Sequence, residues 1–134
     1  MDTLIFIRHN LKEDKRAIQR LLDESLIAIS YCHIPSPDDY DKTGKRALQL
    51  LHDCCRTGAF VGADYSWLDN KPMLIGVIQK GSKIIPRNDI LKELWLKTVK
   101  LNDVKRISLN DYPQLAKIRP PTQLLVDGLK QKRF

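Results

Sequence analysis

Ala59-Phe60-Val61-Gly62-Ala63-Asp64-Tyr65-Ser66-Trp67-Leu68-Asp69-Asn70-Lys71-Pro72-Met73-Leu74-Ile75-Gly76-Val77-Ile78 is the stretch that decides the fold class. Phe60 to Trp67 is aromatic and rich in strand-forming residues, and Met73 to Ile78 is apolar. Between them Leu68 to Pro72 gathers Asp, Asn, Lys and Pro, the composition of a turn. Strands joined by so short a turn pair antiparallel, because a parallel pair needs a crossover of a dozen or more residues. Downstream, Lys80-Gly81-Ser82 turns into a short strand at Lys83 to Ile85. Leu94 to Leu101 fits a helix surfaced by Lys97 and Lys100, or a strand. The strand is preferred, with Asn102-Asp103 as the turn into Val104 to Leu109. Asn110 is expected to cap a short helix carrying Tyr112, Leu115 and Ala116, and Thr122 to Lys130 to form a last short helix.

Upstream the periodicity changes. Thr3 to Arg8 is a short β-branched and aromatic run that suits a buried strand. Asn10 precedes Glu13 by three residues in a capping-box arrangement. Ile18, Leu21, Leu22, Leu26 and Ile29 follow at helical spacing, which predicts a helix over 11–31. Ile34-Pro35-Ser36-Pro37 stops it. A second helix is expected over 37–57, opened by Ser36, Asp38 and Asp39 and closed at Gly58. Its apolar side holds Tyr40, Ala47, Leu48, Leu51, Cys54 and Cys55. The fold expected is α+β: an N-terminal strand and two amphipathic helices packed on a mostly antiparallel sheet able to curl into a small barrel. The 134 residues read as a single domain over 1–134, with a helical half, 1–58, and a basic β-rich half, 59–134.

Charge is uneven along the chain. The net charge is +7, yet residues 1–67 hold nine Lys/Arg against ten Asp/Glu, and residues 68–134 hold fourteen against six. A one-sided positive field attracts polyanions, nucleic acid first and an acidic protein partner second. No apolar run is long enough to span a bilayer, and residues 1–10 carry Asp2 and Arg8 where a secretory leader would be apolar. Cys32, Cys54 and Cys55 fit thiols packed as small apolar groups in a reducing cytoplasm.

Several short patterns carry chemistry. Leu4-Ile5-Phe6-Ile7-Arg8-His9, a strand ending in Arg-His, resembles the opening of the histidine phosphatase family. The resemblance implies a histidine that accepts phosphate and an arginine that holds it. It covers six residues, and Asn10 stands where the family has glycine. The plainer reading of His9 is a strand-end residue. Pro37-Asp38 with Asp69-Asn70-Lys71 is similar to the P-D…(D/E)-x-K pattern of a large nuclease family, where two acids hold Mg²⁺ and the lysine polarises the reacting group. The plainer reading is a helix start and a turn. His52 and Cys55, three apart on a helix, share a face and are the candidate metal ligands, although no C-x-x-C knuckle accompanies them. No cofactor is expected.

The broadest constellation is cationic. Lys80, Lys83, Arg87, Lys97, Lys100, Lys105 and Arg106 lie in the second half, interleaved with Trp67 and Trp95, and with Tyr65 and Tyr112. Cations contact phosphates without reading sequence, and exposed aromatic faces stack on unpaired bases. The function expected is therefore a small nucleic-acid-associated domain that meets the phosphate backbone through its β-rich half. The alternatives are a phosphoesterase or nuclease using Arg8, His9, Asp38, Asp69 and Lys71, and a protein-interaction or regulatory module that meets an acidic partner through the same face or pairs as a homodimer through an exposed helix stripe.

Overall fold

The computed structural model describes residues 3–9, 14–29, 42–91, 94–114 and 122–125. In chain order these form β1 (Thr3–Arg8), α1 (Lys15–Asp23), β2 (Leu26–Ile29), α2 (Lys42–Thr57), β3 (Ala59–Asp64), β4 (Pro72–Ile78), β5 (Ile85–Leu91), β6 (Leu94–Lys100), β7 (Asn102–Ser108), a 3-10 helix at Leu109–Asp111, and β8 (Thr122–Leu125). The β3–β4 hairpin pairs antiparallel from Ala59↔Ile78 to Asp64↔Met73, as the turn composition requires. The class is α+β. The described strands divide between two sheets, ordered β7-β4-β3-β1-β8 and β2-β6-β5, instead of curling into one.

Among the described residues every pairing is antiparallel except one. β1 runs parallel to β3, from Leu4↔Phe60 to Arg8↔Asp64. α1, β2 and α2 lie between them in sequence and supply the long crossover that a parallel pair demands. The carboxyl ends of two central strands therefore finish side by side.

Three sequence expectations are corrected. The first helix does not run over 11–31. It starts after Asp14, whose carboxylate accepts the amides of Arg16 and Ala17, and it ends at Asp23. Ser25 turns the chain through the left-handed region at φ 55°, and Leu26–Ile29 becomes a strand paired with β6. Leu26 and Ile29 mimic the next turns of the helix stripe. However, Leu26, Ile27, Ala28 and Ile29 are all buried, which a helix with one solvent face cannot achieve. Second, Thr122–Leu125 is not helical but an edge strand antiparallel to β1. The expected helix at Asn110 is a 3-10 turn capped by Ser108 and ending at Tyr112. The Asn10–Glu13 capping box and the 37–41 stretch of the second helix fall outside the described residues.

The main core lies against one face of the large sheet. Ile5, Ile7, Val61, Ala63, Leu74 and Ile78 pack there with Ile18, Leu21 and Leu22 of α1, Leu48, Leu51, Cys54 and Cys55 of α2, and Leu96 and Val99 of the small sheet. The opposite face carries a second cluster of Phe6, Met73 and Leu109, flanked by Leu4 and Ile107. β1 is thus apolar on both faces, which accounts for its unbroken Leu4–Ile7 run. Gly62 is obligatory in this second cluster. A methyl group there would lie 2.7 Å from the Met73 methyl and 2.8 Å from the Phe6 ring. Gly58, at φ 83°, ends α2 and turns it into β3.

Candidate functional site

The parallel ends of β1 and β3 converge on Asp64, whose side chain is almost fully buried. Arg8 Nε donates to Asp64 Oδ2 at 2.7 Å, and the Ser66 amide donates to Oδ1 at 2.7 Å. The Asp64 carbonyl accepts the His9 amide at 2.9 Å and His9 Nδ1 at 3.0 Å. His9 Nε2 accepts the Ala28 amide at 3.1 Å. An acceptor at Nε2 fixes the neutral tautomer with its hydrogen on Nδ1. Burial of the ring lowers its pKa from the usual 6.5 to about 4, against the opposing pull of the Asp64 carbonyl and carboxylate. Tyr65 stacks on this ring and donates its hydroxyl to the Leu26 carbonyl; burial pushes its own ionisation far up. Both nitrogens of His9 are thus committed to backbone, so it offers no nucleophile and no metal ligand. The role that the phosphatase resemblance implies for His9 is overturned by these two hydrogen bonds.

Beside this buried junction lies a cavity of about 410 Å³ lined by Arg8, Ser66, Lys71, Leu109, Asn110 and Pro113. Three chain segments build it. The β3–β4 turn is folded by the Leu68 amide on the Tyr65 carbonyl at 3.0 Å, the Lys71 amide on the Leu68 carbonyl at 3.1 Å, and the Tyr65 amide on the Pro72 carbonyl at 3.0 Å. Asn70 and Lys71 take left-handed conformations there, at φ 66° and 45°. The segment after β7 is clamped onto this turn. The Leu109 amide donates to the Lys71 carbonyl at 2.9 Å, and Ser108 Oγ donates to the Asn70 carbonyl at 2.6 Å. Arg8 closes the third side, its orientation held by Asp64. The cavity has two cations, a hydroxyl, a carboxamide and an apolar floor of Leu109 and Pro113. Trp67 follows Ser66 and Tyr112 sits between Asn110 and Pro113, and each is 41% exposed.

The other sequence candidates scatter. Asp69 is exposed in the same turn as Lys71. Asp38 lies outside the described residues, so the nuclease-like pattern is represented only by its Asp69–Lys71 half, on a turn. His52 faces solvent while Cys55 is buried in the core, so this pair does not converge on a metal. Burial pushes Cys54 up to about 11, and Cys55 in the same direction.

The cationic set is split between the two sheets. Lys80 and Lys83 are exposed on the β4–β5 connection. Lys105 and Arg106 are exposed on β7, and as successive residues they point to opposite faces. Arg87 is engaged by Glu24 at 2.8 Å and Asp89 at 2.7 Å, and Arg20 joins the same two carboxylates at 2.9 and 2.7 Å. The two arginines hold Asp89 and Glu24 below the usual carboxylate range. Lys100 Nζ donates to the Glu24 carbonyl. Lys97 is half-buried on β6. Trp95 packs against the core and Tyr65 lies within it, which leaves Trp67 and Tyr112 as the exposed members of the aromatic set.

Of the residues named from sequence, Arg8 and Lys71 come together at the cavity, and Trp67 follows the lining residue Ser66 in sequence without lining it. Ser66, Leu109, Asn110 and Pro113 were not singled out as ligands, since ordinary loop residues carry no pattern of their own. Neither a family model, nor a curated protein, nor a solved structure matches this chain. Among the described residues, no helix is long and apolar enough to cross a membrane.

Proposed function

We propose that this chain is a nucleic-acid-associated domain that takes phosphate at the cavity where β1, the β3–β4 turn and the 3-10 helix meet. The observation that carries the reading is Lys71 lining one cavity with Ser66, Asn110 and the Asp64-paired Arg8; Trp67 and Tyr112, next in sequence to lining residues, are exposed. Phosphate contacts supply affinity, and aromatic faces add stacking that tolerates any base. The cavity sits at the carboxyl ends of β1 and β3, the one parallel pair among the described strands. It replaces the diffuse cationic face of the β-rich half as the centre of the interaction, because those cations are divided between the two sheets and Arg87 and Lys100 are engaged around Glu24; at the cavity Arg8 is likewise paired with Asp64, which leaves Lys71 as the cation the reading rests on.

Binding of a labelled oligonucleotide across a salt series tests the reading. Affinity is expected to weaken steeply from low to moderate salt, and Lys71→Asn is expected to reduce both the affinity and the salt slope. Affinity that ignores salt overturns the proposal.

A further inference from the structure

The size and lining of the cavity narrow the kind of nucleic acid. Resting on the reading above, we propose that the cavity receives one unpaired nucleotide, its phosphate on Lys71 and its base against Asn110, Ser66, Leu109 and Pro113, so that the protein selects single strands over duplex.

A volume of about 410 Å³ lies toward the small end of the ~300–1,000 Å³ typical of small-molecule sites. One nucleotide fits such a space; a run of stacked bases does not. A base inside a duplex has its edge taken by its partner and its faces by the stack, so only an unpaired or extruded base can enter. The lining matches the parts of one nucleotide. Lys71 supplies charge for the phosphate, while Arg8 lines the same cavity with its own charge met by Asp64. The Asn110 carboxamide offers both a donor and an acceptor, the combination that base edges present, and the Ser66 hydroxyl does the same. Leu109 and Pro113 give the ring an apolar surface. Trp67 and Tyr112, neighbours in sequence of lining residues, are exposed, and exposed aromatic faces of this kind stack on unpaired bases.

The site is also set before any ligand arrives. The turn carrying Ser66 and Lys71 and the 3-10 helix carrying Asn110 are joined backbone to backbone by the Leu109–Lys71 hydrogen bond and braced by Ser108 on Asn70. The Asn110 amide is itself held by Ser108 Oγ at 3.1 Å. Walls fixed in this way spare the ligand the cost of ordering them.

The test is calorimetric titration of the full chain with the four ribonucleoside 5′-monophosphates, their nucleosides, inorganic phosphate, a short single-stranded oligonucleotide and its duplex. At least one monophosphate is expected to bind at a single site, with its nucleoside and inorganic phosphate each weaker by about tenfold or more. The single strand is expected to bind about tenfold tighter than the duplex. Lys71→Asn, which removes the charge but keeps a residue tolerant of the left-handed backbone, is expected to weaken monophosphate and single strand by a similar factor of about ten. Asn110→Ala serves as the second variant, and thermal melts confirm that both are folded. Single-strand binding that Lys71→Asn weakens, with no monophosphate binding, overturns the inference and leaves the phosphate-at-the-cavity reading standing; single-strand binding with both variants unchanged overturns both. Absence of all oligonucleotide binding overturns both.

Discussion

The imidazole of His9 lies flat against the ring of Tyr65, with centroids 4.6 Å apart and planes 13° from parallel. The two rings are struts between the sheets. His9 takes the Ala28 amide and Tyr65 reaches the Leu26 carbonyl, so successive points on β2 are tied to the ends of β1 and β3. What looks from sequence like a reactive histidine beside an arginine is a scaffold that sets where the arginine stands.

Acid should expose that role. His9 is held neutral in the fold with a pKa near 4, against 6.5 in an open chain. Between those values the unfolded chain binds more protons than the native one, so stability is complete above about pH 6.5 and declines as pH falls toward 4. The loss attributable to this group approaches ~3 kcal/mol. The measurement is the urea midpoint from pH 7 to pH 4 for the native chain and for His9→Gln. The variant is expected to start lower by about 2 kcal/mol and to show a shallower pH slope, and equal slopes would refute the assignment.

Gly62→Ala is expected to destabilise the chain by about 1–3 kcal/mol, because the added methyl would sit under the Phe6 ring. The Met73 methyl can swing aside, but the ring cannot. Combining Gly62→Ala with Phe6→Leu should therefore cost less than the sum of the single changes in denaturant titrations. Strict additivity would place the strain elsewhere.

Two cations of equal formal charge should behave differently toward nucleic acid. Arg87 is compensated by Glu24 and Asp89, whereas Lys71 lines the cavity. Arg87→Gln is expected to change oligonucleotide affinity by less than about twofold, and Lys71→Asn to lower it by about tenfold. Equal effects in filter binding would point to the diffuse cationic surface instead.

The thiols of Cys54 and Cys55 should be inert in the folded chain. Both are buried against the core, and Cys54 stays protonated to a pH of about 11. In a Cys32→Ser background, a thiol reagent at pH 8 is expected to label them only at the rate of unfolding. Labelling within the mixing time would show that the α2 face is open.

The legible parts of the fold are those with local causes. The 59–78 hairpin follows from its turn composition, and the end of α2 follows from Gly58. β2 was concealed because Leu26 and Ile29 continue the spacing of Ile18, Leu21 and Leu22; the discriminating detail is that Ile27 and Ala28 leave no polar face. The β1–β3 pairing joins residues such as Arg8 and Asp64, 56 positions apart, which no periodicity encodes. The same limit applies at the site. Arg8, Lys71 and Trp67 have recognisable chemistry, but Ser66 and Asn110 acquire theirs only when Ser108 and Leu109 dock on Asn70 and Lys71. Counting cations placed Arg87 and Lys100 with Lys105, because the reach of Glu24 is not written in the composition.

The three walls of the cavity come from the first strand, the central hairpin turn and the segment through Pro113. No shorter stretch of chain contains all three, so the cavity exists only once synthesis has passed Pro113 and the sheet has closed. An occupant would consequently bind the finished topology and not its fragments, raising the melting temperature and slowing proteolysis in proportion to its concentration.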